Sequence, residues 1–308
     1  MPNCAGMVHP NRCMPEGDTI LRAARALHRT LAGRVVTRFD SLYPSVTRVA
    51  EDHPIVGRTI ESVFARGKHL LMAFSGDLVL RTHMRMNGSW HLYRPGAPWQ
   101  RPARDMRVLV ATADAVAVGF SVPIAELLSN RQLERHKEIR ALGPDLLAGA
   151  GEQYEYSVDT AEIVRRMRAR GRDGVADLLL NQRVVAGIGN VFKSEILFVA
   201  GIDPFMPAAS LSDADLERIV GIARDQLAAA VLDRSKTLAR SIGRRPTRSL
   251  DPDAALWVYS RGGKPCRRCG AIILSKKTGL DARLTYWCPQ CQRASPASPP
   301  AVERDADI

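Results

Sequence analysis

Four cysteines near the C-terminus constrain this chain more than any other feature. Two C-x2-C pairs, Cys266 with Cys269 and Cys288 with Cys291, stand 18 residues apart. Two pairs of this kind, each held across a tight turn, can supply the four thiolates of a tetrahedral zinc site. Because sulfur fills every coordination position, we expect one structural Zn²⁺ on a small β-hairpin and look for chemistry elsewhere in the chain.

The composition indicates a polyanionic partner. The chain has 308 residues, 45% of them hydrophobic, and a formal net charge of +12. Much of that charge is arginine, which suits bidentate contact with phosphate. Nucleic acid is the natural partner of such a chain, although an arginine-rich proteome would give the same bias. No apolar run is long enough to span a bilayer and no signal peptide is evident, so we expect a cytoplasmic protein with no membrane partner.

The pattern of elements predicts an α+β multidomain fold, with an N-terminal β-sandwich carrying one helix, a helical domain and a C-terminal zinc-finger hairpin. Residues 1–13 show no element signal, and we expect them to be a non-native leader or the result of a misassigned start. The remaining boundaries are 14–122 for the sandwich, 123–255 for the helical domain, 256–293 for the finger and 294–308 for a disordered tail.

Individual elements follow from periodicity and turn residues. Asp18 or Thr19 is expected to cap a first helix that ends at Gly33, and Ser75-Gly76-Asp77 to form a hairpin turn. The predicted strands are Val35–Phe39, Thr59–Phe64, His69–Phe74, Leu78–Thr82, Trp90–Tyr93, Val108–Ala111 and Val116–Phe120, with Arg94–Arg104 as an exposed loop. The predicted later helices are Ile124–Arg140, Ala161–Arg170, Val175–Leu180, Val191–Ala200, Asp213–Ala230 and Leu232–Ile242.

Three further motifs could carry chemistry, and each has an ordinary structural alternative. The Gly187-Ile188-Gly189-Asn190 turn could bring backbone N–H groups to a phosphate, or could merely join two helices. Lys68, at the head of a strand, could reach a phosphate or be a solvated strand edge. Lys276 and Lys277 of the zinc hairpin could reach a DNA backbone or be solvated charges.

A fourth motif is Met14-Pro15-Glu16, ahead of the first helix. If the mature chain starts at Pro15, its amine has a pKa of about 7.7–8.0 and is partly neutral at pH 7. Such an amine can attack a sugar C1′ and form a Schiff base, with Glu16 beside it for proton transfer. Taken alone, both residues could equally be ordinary first-turn helix residues.

Together these motifs resemble the formamidopyrimidine-DNA glycosylase / endonuclease VIII family, from Met14 to about Arg293. The matching segments, in order, are MPEGDTI at Met14–Ile20, RGKHLL at Arg66–Leu71, the helix–two-turn–helix sequence at Leu178–Phe198 and the zinc finger at Val258–Cys291. Gly17-Asp18 after Pro-Glu resembles the endonuclease VIII branch, which favours oxidised pyrimidines over oxidised purines.

The resemblance implies a role for each matched position. Pro15 would be the Schiff-base nucleophile, Glu16 the proton donor in base removal, and Lys68 an aid to β-elimination that also holds a phosphate. Arg283, five residues before Cys288, would serve δ-elimination and contact DNA. The other implied DNA contacts are Asn190 on a backbone phosphate, Met86 in the void left by the extruded base, and its neighbour Arg85.

The implied activity is that of a bifunctional DNA glycosylase/AP lyase of base-excision repair. It would be a monomer acting on damaged double-stranded DNA, and associated with the nucleoid when bound. A non-catalytic damaged-DNA-binding protein is the alternative if Pro15 is not exposed. A zinc-ribbon transcription or translation factor is a weaker alternative, since it would not account for MPEGDTI or RGKHLL.

Overall fold

The computed structural model describes residues 15–148, 158–232, 255–279 and 282–293. These residues form two compact units, divided after Ala148. The predictions for residues 1–13, for 294–308 and for most of the helix Leu232–Ile242 lie outside the described residues. None of the helices in the described segments is long and apolar enough to cross a membrane.

The first unit is a β-sandwich that carries an N-terminal helix. Its helices are α1 (Gly17–Leu31), α2 (Pro44–Asp52), α3 (Asn130–Arg135) and α4 (Lys137–Arg140). Its strands are β1 (Arg38–Ser41), β2 (Ile60–Arg66), β3 (His69–Phe74), β4 (Leu78–His83), β5 (Ser89–Tyr93), β6 (Met106–Ala111), β7 (Val116–Phe120) and β8 (Ile124–Leu128). They form two four-stranded antiparallel sheets, ordered β1-β6-β7-β5 and β2-β3-β4-β8.

The core of this unit lies where the two sheets face each other. Alternate side chains such as Phe74 and Leu80 from one sheet, and Val108 from the other, belong to one buried cluster. Helix α1 adds a face with the spacing of an amphipathic helix, made of Ile20, Ala24, Leu27 and Leu31, each no more than 1% exposed. This burial fixes α1, and therefore the residues just before it, against β2 and β3.

The structure corrects two predictions in this unit and adds one helix that was not predicted. Glu16 is the N-cap of α1, not Asp18 or Thr19, which lie within its first turn. Residues 124–128, predicted as helix, form β8 and pair with β4, because Ala125 and Leu127 alternate into the core. Helix α2 has no counterpart among the predictions, although Pro44 at its first turn is a recognised start signal.

Among its described residues, the second unit contains four α-helices and the zinc-finger hairpin. Its helices are α5 (Thr160–Arg168), α6 (Val175–Leu180), α7 (Asn190–Ala200) and α8 (Asp213–Leu232), and its strands are β9 (Leu274–Thr278) and β10 (Arg283–Trp287). The predictions for these four helices are confirmed to within three residues at each end. Helix α7 is buried along nearly its whole length and contacts α6, α8 and β10.

Candidate functional site

Pro15 and Glu16 lie directly before the first turn of α1. Glu16 adopts extended backbone angles and its carbonyl oxygen accepts the N–H of Ile20 at 3.1 Å. Glu16 is 1% exposed and Pro15 is half-buried. A carboxylate at this position meets the positive end of the helix dipole. The sequence therefore folds so that the proline nitrogen and a buried carboxyl group sit together at a helix N-terminus.

Lys68 lies in the tight turn between β2 and β3. The turn contains Gly67 with φ +58°, a conformation that glycine adopts without steric cost. The Gly67 N–H donates to Asp145 Oδ2 at 2.6 Å, and the Leu147 N–H donates to Asp145 Oδ1 at 2.9 Å. Burial raises the pKa of Asp145, and these two hydrogen bonds oppose that rise. The carboxylate thus holds the turn that presents Lys68.

Met86 lies at the tip of the connection from β4 to β5 and is 49% exposed, whereas Met84 in the same connection is 2% exposed. Its neighbour Arg85 has φ +48°, and the Arg85 N–H donates to His83 Nδ1 at 3.0 Å. The turn closes by a hydrogen bond from the Gly88 N–H to the Met84 carbonyl at 2.8 Å. A compact turn therefore projects one flexible apolar side chain outward, which suits insertion between bases.

The Lys68 turn and the Met86 turn lie at the same end of one sheet, where β3 begins and β4 ends. His69, which follows Lys68, is the strand partner of His83, and their rings meet edge to face at 4.8 Å. Burial is the main cause that lowers the pKa of His83 from 6.5 to about 4 and that of His69 from 6.5 to about 2. Neighbouring positive charges, including Arg81 for both, lower them further. Both rings are therefore neutral at pH 7.

In the second unit, Asn190 is the first residue of α7 and is 6% exposed. Its Oδ1 has no hydrogen-bond partner among the described residues. The preceding turn is held by Gln182, whose Nε2 donates to the Leu180 and Ile188 carbonyls at 2.9 and 3.0 Å, and whose Oε1 accepts the Gly187 N–H at 3.1 Å. The turn is thus held in place directly before the N-terminus of α7, a position whose free backbone N–H groups are typical of anion-binding sites.

The four cysteines of the second unit form one cluster, with all Sγ atoms within 4.8 Å of one another. The Cys266–Cys291 and Cys269–Cys288 Sγ distances are 3.9 and 3.5 Å. Tetrahedral zinc at about 2.3 Å from each sulfur requires sulfur atoms about 3.8 Å apart, so the cluster fits the ion. Burial raises the pKa of Cys288 and Cys291, and zinc binding would therefore release protons.

Arg283 begins β10, opposite Thr278 of β9, and is half-buried. Lys276 and Lys277 are exposed on the neighbouring strand. The connection that enters the finger is anchored by Glu195 of α7, which is 0% exposed and accepts the N–H groups of Trp257, Val258 and Tyr259 at 2.8–2.9 Å. These bonds oppose the rise in the pKa of Glu195 that its burial causes.

Sequence reasoning assigned no role to Asp145, Gln182, Lys193 or Glu195. Lys193 and Glu195 did carry a signal, since charged residues inside an otherwise apolar helix are almost never fully buried without partners. The structure places Pro15, Glu16, Lys68, Arg85 and Met86 in the first unit, and Asn190, Arg283 and the zinc ligands in the second.

Sequence profiles of three known domains match the chain in order. The formamidopyrimidine-DNA glycosylase N-terminal domain matches residues 14–123 and the H2TH domain of the same enzyme matches residues 150–241. A zinc finger found in this glycosylase and in isoleucyl-tRNA synthetase matches residues 263–294. The three matches cover most of the chain, and the first begins at Met14.

Known proteins match over nearly the same range. A probable endonuclease 8 2 of Streptomyces coelicolor is 40% identical, over 93% of this chain and 96% of its own. A DNA-(apurinic or apyrimidinic site) lyase Nei2 of Mycolicibacterium smegmatis is 37% identical, over 92% of this chain and 100% of its own. A Lactococcus lactis formamidopyrimidine-DNA glycosylase bound to abasic-site DNA matches with a TM-score of 0.73 and 25% identity, over 90% of this chain and 99% of its own.

Proposed function

Because this chain belongs to the formamidopyrimidine-DNA glycosylase family, we propose that it is a bifunctional DNA glycosylase and abasic-site lyase of base-excision repair. The observation that carries the proposal is the position of Pro15 and Glu16, directly before α1, at the point where the family match begins. The Lys68 and Met86 turns add the other groups that the reaction needs, and they lie side by side at one end of a sheet.

In the proposed base-removal step the lone pair of the Pro15 nitrogen forms a bond to C1′. The N-glycosidic bond breaks, its electron pair leaves with the base, and the base takes up a proton for which Glu16 is the donor. The Pro15 nitrogen then loses its N–H proton, its lone pair displaces O4′ from C1′ as O4′ takes up a proton, and an iminium joins Pro15 to C1′. This chemistry requires a free Pro15 amine, so the active chain would begin at Pro15.

Strand cleavage would follow from the same iminium. It makes the C2′ protons acidic; loss of one of them expels the 3′-phosphate with the electrons of the C3′–O bond, and Lys68 assists this β-elimination. Loss of a C4′ proton then expels the 5′-phosphate in a δ-elimination that we assign to Arg283. Water hydrolyses the remaining iminium, which releases an unsaturated aldehyde and restores the amine.

Each unit would supply its own contacts to DNA. Asn190 and the N-terminus of α7 bind a backbone phosphate, while Lys68, Arg85 and Arg283 supply positive charge. Met86 enters the void left by the extruded base and offsets part of the few kcal/mol that unstacking costs. The zinc ion, when bound, supplies no chemistry of its own and holds the hairpin that carries Arg283.

The substrate we infer is an oxidised pyrimidine, on the basis of Gly17-Asp18 after Pro-Glu, and the partner we infer is damaged double-stranded DNA. The protein would act as a monomer in the cytoplasm and associate with the nucleoid when bound. The Lactococcus lactis relative is bound to DNA that contains an abasic site, and the proposed lyase step acts on that same lesion.

Borohydride trapping on abasic-site DNA tests the proposal. A chain that starts at Pro15, verified by intact mass, should form a covalent adduct, because borohydride reduces the iminium to a stable amine. The 308-residue chain is the matched control, since its Pro15 nitrogen lies in a peptide bond, and it should form none.

Two outcomes would contradict the proposal. An adduct formed equally by the intact 308-residue chain would remove Pro15 as the nucleophile. DNA binding without an adduct from either form would instead favour the non-catalytic damaged-DNA-binding alternative.

A further inference from the structure

Helix α7 connects the phosphate-binding turn to the zinc hairpin. It begins at Asn190, and three residues later Lys193 lies beneath the hairpin with 0% of its surface exposed. The Lys193 Nζ donates to Thr285 Oγ1 at 2.7 Å and to the Leu284 carbonyl at 3.3 Å. A buried ammonium that bonds two consecutive residues of β10 fixes this strand against the helix.

The bonded residues lead directly to Arg283. Thr285 Oγ1 is 2.8 Å from Thr278 Oγ1, and Thr278 is the strand partner of Arg283. Thr278 Oγ1 also donates to the Arg283 carbonyl at 3.5 Å. A line of hydrogen bonds therefore runs from Lys193 through two threonines to the backbone that carries the arginine.

The buried charge of Lys193 has an acidic neighbour. Burial raises the pKa of Asp177 on α6, and the positive charge of Lys193 opposes that rise. Asp177 also faces the turn between β9 and β10, because a Cβ added at Gly279 would lie 2.9 Å from Asp177 Oδ1. An opposite charge within electrostatic range, together with the two hydrogen bonds from Nζ, lowers the cost of burying the Lys193 ammonium.

From these contacts we propose that Lys193 is a positioning residue that fixes where Arg283 lies relative to Asn190. Asn190 and Lys193 are separated by about 4.5 Å along the axis of one helix. The same helix therefore carries the phosphate-binding residue and holds the strand that begins with Arg283. This inference depends on the proposed role of Arg283 in δ-elimination. It implies that zinc binding alone is not sufficient to position Arg283.

Lys193→Met tests the inference in the zinc-loaded chain that starts at Pro15. We expect the ratio of δ- to β-elimination product on abasic-site DNA to fall by about 10- to 100-fold, since a small misplacement of a reacting group has costs of that order. Zinc content and the yield of the borohydride adduct should not change. Lys193→Arg, which restores a cation and its donors, should recover most of the ratio.

Two further variants keep the test decisive if Lys193→Met folds poorly. Thr285→Val removes the acceptor at 2.7 Å but keeps the lysine and the strand shape, and should shift the ratio in the same direction. Arg218→Met removes a cation bonded to the other end of α7, through the Ala200 carbonyl at 2.7 Å, and should leave the ratio unchanged.

The failure of this inference and the failure of the proposed function give different results. If Arg283→Ala lowers the product ratio but Lys193→Met and Thr285→Val do not, Lys193 has no positioning role. If Arg283→Ala leaves the ratio intact, the role of Arg283 itself is wrong. A loss of zinc in Lys193→Met, with the product ratio unchanged in Thr285→Val, would make Lys193 a merely structural residue.

Discussion

His69 and His83 face each other across β3 and β4, and both have a pKa far below neutrality in the folded protein. His83 must be neutral to accept the Arg85 N–H at its Nδ1, because a protonated ring is a donor at both nitrogens. The shape of the turn that presents Met86 therefore depends on a protonation state. Burial enforces that state throughout the physiological range.

The stability of the first unit should consequently depend on pH in the acid range. The pKa of His83 is lowered on folding from 6.5 to about 4, so its contribution is present above pH 6.5 and is lost as pH falls toward 4. In His83→Asn the slope of unfolding free energy with pH should be smaller by about 1.4 kcal/mol per pH unit in that window. Urea unfolding at a series of pH values measures it, and an unchanged slope would contradict the assignment.

At the scale of elements, features that depend on local sequence were predicted better than features that depend on long-range contacts. The Ser75–Asp77 turn, the strand His69–Phe74 and the helix Val175–Leu180 follow from local chemistry and are confirmed. The helix predicted over residues 124–140 was wrong at its start. Four apolar residues there fit both a helical and an alternating pattern: Ile124, Ala125, Leu127 and Leu128. Ser129 and Gln132, which form a capping box, mark where the helix starts.

The supports of the site could not be predicted in the same way. Asp145 meets Gly67 across 78 residues of sequence, and Lys193 meets Thr285 across 92. A single sequence shows the residue types but not their pairing, because the pairing exists only after the sheets and helices have packed. The motifs themselves were found since their chemistry is carried within a few adjacent residues.

Removal of one zinc ligand should unfold the zinc hairpin and weaken DNA binding at the same time. Cys288→Ser removes one thiolate from the four-sulfur cluster, and the small core around Ile273 and Val258 is too limited to hold the finger without metal. We expect zinc content to fall and affinity for abasic-site DNA to drop by about tenfold or more, since Arg283 loses its support. Metal analysis and fluorescence anisotropy measure the two effects, and unchanged affinity would exclude a role for the finger in binding.

For the whole molecule, the net charge of +12 should appear as a steep dependence of DNA binding on salt. Each phosphate contact made by a cation contributes a slope of about −0.9 in a plot of log affinity against log salt. Arg283→Ala should therefore reduce the slope by about 0.9, whereas Asn190→Ala should lower affinity at every salt concentration with the slope unchanged. Equal effects of both variants on the slope would contradict the assignment of Asn190 as a neutral donor.

The four tryptophans of the chain are divided evenly between the two units. Trp90 donates to Thr82 within the sandwich and Trp99 packs on Phe120, whereas Trp257 stacks on Phe198 and Trp287 meets Phe205 beside the zinc ligands. Each unit thus contains its own intrinsic fluorophores. Replacing one pair with phenylalanine would let the emission spectrum follow the melting of the other unit alone, without any attached dye.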